Sequence, residues 1–173
     1  MNFNKFTLKS QEAVQNAQEI ASSYSNQAIE PEHLLAALIQ DSEGVVVPLL
    51  QKIGANLKYL KIKINEAIEK LPKVKGAGLG SQHLSSALGQ VIEAAQKEAA
   101  QLKDEYLSTE HILLAFLDDG TGDRRGSSAS KLLHDQGVTK DALYKALREV
   151  RGTQRVTDQN PEDKYQALER FGR

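Results

Sequence analysis

The chain has 173 residues, 40% of them apolar and 26% charged, which suits one ordinary domain or two small ones and is too apolar for a disordered tract. Lys and Arg total 22 against 23 Asp and Glu, a net charge of −1 with no long-range field for a phosphate backbone or an anionic lipid surface, so no nucleic acid and no membrane is expected as partner. The absence of Cys excludes disulfides and thiolate nucleophiles, and no purely apolar run exceeds six residues (34–39), far short of the ~20 of a membrane span.

In chain order, the opening MNFNKFTLKSQEA lacks the apolar core of a signal peptide, which predicts a cytoplasmic protein. Ala13, Val14, Ala17, Ile20, Ala21 and Tyr24 then recur at three- and four-residue steps and predict an amphipathic helix near 7–24. Glu30-Pro31-Glu32 opens a second helix, with Pro in its first turn and carboxylates at the positive end of the dipole. A short helix at about 45–53 ends at Gly54, and Asn56 caps a fourth that carries Leu57, Leu60, Ile64, Ala67, Ile68 and Leu71 on one side. The Gly-rich stretch 72–80 reads as a flexible linker. After it come helices at about 81–103, at 109–118 behind Ser108, near 128–136 before Gly137, and at about 140–151 behind Thr139. The polar stretch 152–161 follows, and helical character begins again at Glu162, as if the chain were one module of a larger machine.

Residues 10–41 laid over 88–119 give eight identities in thirty-two positions without a gap, among them Glu32/Glu110 and His33/His111. The match resumes at Leu49-Leu50…Gly54 against Leu132-Leu133…Gly137, and the extra residues of the second copy fall in the Gly- and Ser-rich loop 120–128. The expected fold is therefore all-α, two pseudo-twofold four-helix repeats at about 6–71 and 83–151.

Chemistry is sparse. His33 and His111 sit in matching first turns without HExxH spacing and read as capping and packing residues, with a metal or acid–base site as the competing reading; His83 and His134 read as surface residues. The Gly-rich segments lack GxxxxGK[ST], and no carboxylate pair or Ser/His/Asp order stands out, so no catalytic residue, metal or nucleotide site is expected within the chain. What remains is binding, at the seam that two repeats must leave between them.

The duplicated motif Ile29-Glu30-Pro31-Glu32-His33-Leu34-Leu35-Ala36-Ala37-Leu38 and Leu107-Ser108-Thr109-Glu110-His111-Ile112-Leu113-Leu114-Ala115-Phe116 resembles the Clp repeat domain, found at the N-terminus of the Clp/Hsp100 AAA+ unfoldases. The tail from Val156-Thr157-Asp158-Gln159-Asn160-Pro161 to Phe171-Gly172 resembles the linker into the first ATPase domain of the disaggregase branch. The resemblance implies a heat-shock chaperone, hexameric and driven by ATP and Mg in domains outside this chain, that works with the DnaK system on unfolded or aggregated polypeptides. The N-domain itself would be a monomeric, mobile, non-catalytic module on a flexible tether. It further implies peptide contact at Thr7, Asp104 and Glu110, with an apolar groove on Val91, Ile92 and Ala95 and Leu8 opposite; Glu32 would mark a second, symmetry-related site. Docking of a dedicated adaptor protein is the alternative role.

Overall fold

The first helix, α1 (Leu8–Ser23), starts where the Thr7 hydroxyl accepts the Ser10 backbone N–H at 3.2 Å. The computed structural model describes residues 3–74, 82–118, 128–152, 155–157, 159 and 161. Among these, α2 (Pro31–Gln40), α3 (Val46–Ile53) and α4 (Leu57–Glu69) complete the first repeat. The helices α5 (Ser86–Gln101), α6 (Thr109–Phe116), α7 (Ser128–Asp135) and α8 (Lys140–Arg151) form the second. The expected local signals act where they stand. Gly54 ends α3 at φ 96°, Gly137 follows α7 at φ 79°, Asn56 Oδ1 accepts from the Tyr59 N–H at 3.0 Å, and Thr139 caps α8.

The expected helix at 81–103 is corrected: α5 starts only at Ser86, because Ser85 caps it (Oγ accepts from Leu88 N–H, 3.0 Å) and His83–Leu84 are extended. Residues 75–80 of the linker, residue 81, residue 119, residues 120–127 of the loop and the expected helix after Glu162 lie outside the described residues.

The two central helices are α2 and α6. Residues 33–39 of α2 and all of α6 are buried, the pattern of helices that are apolar on every side, which accounts for the six-residue apolar runs. Helices α1 and α5 pack on them as equivalent pairs. The remaining helices cross between repeats, α3 against α8 and α4 against α7.

Extended segments complete the exchange. β1 (Ala28–Ile29) pairs in parallel with β2 (His83–Leu84), Ile29 opposite Leu84, and an isolated parallel bridge joins Phe6 to Leu107. The 78-residue shift carries Ile29 onto Leu107 and Phe6 onto Leu84, so the two bridges are copies of one another. Each repeat thus lends the segment before its first helix to the segment before the other repeat's second helix. Backbone groups on both segments find partners across the seam: Leu107 N–H donates to Lys5 O at 2.7 Å and Thr7 N–H to Leu107 O at 2.9 Å, as His83 N–H does to Gln27 O at 3.2 Å and Ser85 N–H to Ile29 O at 3.0 Å.

Candidate functional site

Both His of the repeated motif are held by one local device. His33 Nδ1 accepts the Glu30 backbone N–H and His111 Nδ1 that of Ser108, each at 2.8 Å. This fixes the ring proton on Nε2, which His33 donates to Asn26 Oδ1 at 2.8 Å and His111 to Asp104 Oδ2 at 2.7 Å. Asn26 and Asp104 are themselves equivalent positions, and the residue before each, Ser25 and Lys103, has φ near +60°. A left-handed conformation at a non-Gly residue is held only where surroundings over-determine it, here the buried His–Asx pair. Both ring nitrogens of each His are engaged inside the fold, the packing role expected of them. His83 and His134 are exposed. Among the described residues no group of three His, Asp or Glu is placed to hold a metal ion.

Burial pushes His33 down to about 4, so it is neutral in the folded protein. The unfolded chain binds this proton below about 6.5 and the folded one only below about 4, so stability should fall as pH drops through that window. Thermal melts between pH 7 and pH 4 should show this slope in the unmodified chain and lose it in His33→Gln.

The repeats differ in charge. Where the first holds the neutral Asn26, the second holds Asp104 at the centre of a buried cluster. Its Oδ1 accepts from Arg151 Nη2 at 2.7 Å and from the Val156 N–H at 2.8 Å, and Arg151 Nη1 lies 3.5 Å from Glu110 Oε2. Burial would raise the Asp104 carboxyl, but the bonds from His111, Arg151 and Val156 override it and hold Asp104 at about 2. Glu110 is fully buried, and neither carboxylate oxygen accepts a hydrogen bond.

These facts place the expected contact residues. Thr7 is buried as the cap of α1 and Asp104 and Glu110 are buried in the cluster. Val91, Ile92 and Ala95, over which the groove is expected, all pack into the core. Only Leu8 is open, at 52% exposure. The expectation of a wholly free tether after Arg151 is also corrected. Val156 is fully buried, its C=O accepts the Glu105 N–H at 2.8 Å, and Gln159 C=O accepts the Leu8 N–H at 2.8 Å.

A cleft of about 460 Å³ runs along α1 beside the β1–β2 pair, lined by Phe3, Gln11, Val14, Gln18, Ile29 and Leu84 among others. Val14 is the first repeat's counterpart of Ile92. The expected groove residues lie on the second copy, whereas this cleft lies on the first. The signal for the first copy was legible only as the Gln11, Gln15, Gln18 row beside Val14, which gives an apolar floor with amide donors and acceptors at its rim.

Residues 5–125 match the Clp repeat (R) N-terminal domain family. The chain is 42% identical over 175 residues to the chaperone protein ClpB of Bacillus cereus, covering 100% of this chain and 20% of that protein. It is 41% identical over 171 residues to ClpB of Porphyromonas gingivalis, covering 99% of this chain and 19% of that one. It thus spans about a fifth of the length of these relatives. Among solved structures, the Hsp104 N-terminal domain from Candida albicans superposes with a TM-score of 0.74 at 26% identity, over 91% of this chain and 99% of that one. The N-terminal domain of the ClpV1 ATPase from E. coli shares the fold, with a TM-score of 0.71 at 16% identity over 92% of both chains.

Proposed function

The chain belongs to the Clp repeat (R) N-terminal domain family, and from that premise we propose that it is the substrate-capture domain of a ClpB-type disaggregase. The domain takes exposed, extended segments of unfolded or aggregated polypeptide and presents them to the pore of an ATP- and Mg-driven homohexamer in the cytoplasm, in cooperation with the DnaK system during heat stress. The observation that carries this reading is the cleft along α1. Its apolar floor of Phe3, Val14, Ile29 and Leu84 fits aliphatic side chains, and its Gln rim can bond the amides of any extended backbone. Such a site selects for exposed apolar chain rather than for one sequence, which is what a disaggregase needs. Among the described residues no helix is long and apolar enough to cross a membrane.

Affinity should be weak, micromolar or above, since a shallow cleft must order a flexible ligand. In an NMR titration with casein, an unstructured model protein, amide shifts should cluster at Phe3, Gln11–Gln18 and Gln82–Leu84. Phe3→Ala removes an exposed aromatic wall and should weaken binding several-fold. A spectrum unmoved at millimolar casein would end the capture reading and favour docking of a folded adaptor.

A further inference from the structure

We infer that a captured segment pairs as an added strand with the outer edge of β2, at the main chain of Leu84. The occupant is an extended stretch of polypeptide with free backbone N–H and C=O groups and an apolar side chain at every second position. This inference rests on the capture reading and adds the main-chain contact to it.

In the parallel pair of β1 and β2, the N–H groups of His83 and Ser85 turn inward to Gln27 O and Ile29 O. The N–H and C=O of Leu84, between them, turn outward, and among the described residues neither has a partner. The strand that carries them is fixed in place. Gln82 Nε2 donates to Asn26 O at 3.0 Å, Gln82 Oε1 accepts from Ser22 Oγ at 2.8 Å, and Ser85 caps α5. A partner strand therefore meets an edge that is already ordered.

The other copy of this edge shows what it takes. Phe6 is the counterpart of Leu84, and there the chain satisfies both groups itself. Phe6 N–H donates to Phe3 O at 3.0 Å, and Phe6 O accepts from Gln11 Nε2 at 3.1 Å and from Gln159 Nε2 at 3.5 Å. The 78-residue shift carries Gln11 onto Gly89, which has no side chain to offer and open space where its Cβ would stand. Leu84 thus keeps one donor and one acceptor for a C=O and an N–H of another chain, the groups that any extended backbone presents. A residue paired opposite Leu84 puts its side chain on the same face of the sheet as Leu84 and Ile29. Both line the cleft, so an apolar side chain at that position meets its floor while its neighbours in the strand point away.

Gly89→Gln offers Leu84 O the amide that Gln11 gives Phe6 O, and Gly89→Ala is its control. Both side chains enter open space and suit a helix better than Gly, so both variants should fold. The unmodified chain and both variants would be titrated with fluorescein-labelled casein. Exchange of the Leu84 N–H with solvent would be followed by NMR in the free and the casein-saturated chain. The expected result is casein binding about fivefold weaker in Gly89→Gln, the effect of one ordinary hydrogen bond, and unchanged in Gly89→Ala. The Leu84 amide should exchange several-fold more slowly once casein is bound. Casein bound with Leu84 exchange unmoved, and Gly89→Gln equal to Gly89→Ala, would overturn the pairing while leaving capture in the α1 cleft intact. If the unmodified chain binds no casein, capture itself fails and the pairing falls with it.

Discussion

Replacing Arg151 with Met should lower the free energy of unfolding by about 3–5 kcal/mol, the usual cost of leaving buried charge uncompensated. Arg151 is 8% exposed and its guanidinium lies between two fully buried carboxylates, 2.7 Å from Asp104 and 3.5 Å from Glu110. Met keeps the length of the apolar stem, so the loss reports the charge and not the packing. Urea denaturation followed by circular dichroism measures it. A loss below about 1 kcal/mol, the scale of a solvated surface pair, would show that water reaches the cluster. The variant should also change the acid limb. Asp104, held at about 2, contributes stability that is present above about 3.8 and is lost as pH falls through about 2. Without Arg151 that contribution shrinks, and acid unfolding should begin at higher pH.

Phe6→Ala should cost about 3–5 kcal/mol as well, by a different mechanism, the cavity left when a large core side chain is truncated. Phe6 is fully buried and lies on the bridge to Leu107, so the cavity opens where the two repeats are joined. Its counterpart Leu84 is smaller and only half-buried, against the open cleft. Leu84→Ala should therefore cost much less, about 1–2 kcal/mol, because solvent can fill the space. Measured side by side in urea, the pair tests whether the two copies of one bridge are energetically unequal. Equal losses would mean that the cleft closes over Leu84 in solution.

That inequality explains which parts of this protein could be read from its residues. Helix identity and most boundaries were legible because their causes are local: Thr7, Asn56 and Thr139 at N-caps, Pro31 at the start of α2, Gly54 and Gly137 past α3 and α7. The duplication was legible because both copies keep the same apolar spacing and the same Glu-His first turn. The misplaced start of α5 had a non-local cause, the pairing of His83–Leu84 with Ala28–Ile29 more than fifty residues away.

The site was legible only in kind. The family resemblance implied peptide contact at Asp104 and Glu110. Sequence could not see that Arg151, forty-seven positions on, would fold back and bury them. Nor could it choose between Val14 and Ile92, equivalent residues on equivalent helices, as the wall of an open cleft. By itself the sequence determined the all-α repeats, most of their caps and the family, all of which follow from spacing within about twenty residues or from one repeated motif. Only the tertiary structure decided where the cleft beside β1 and β2 opens, that Val156 is buried, and where charge is buried. Those outcomes depend on contacts between the two repeats, where identical local patterns meet different neighbours.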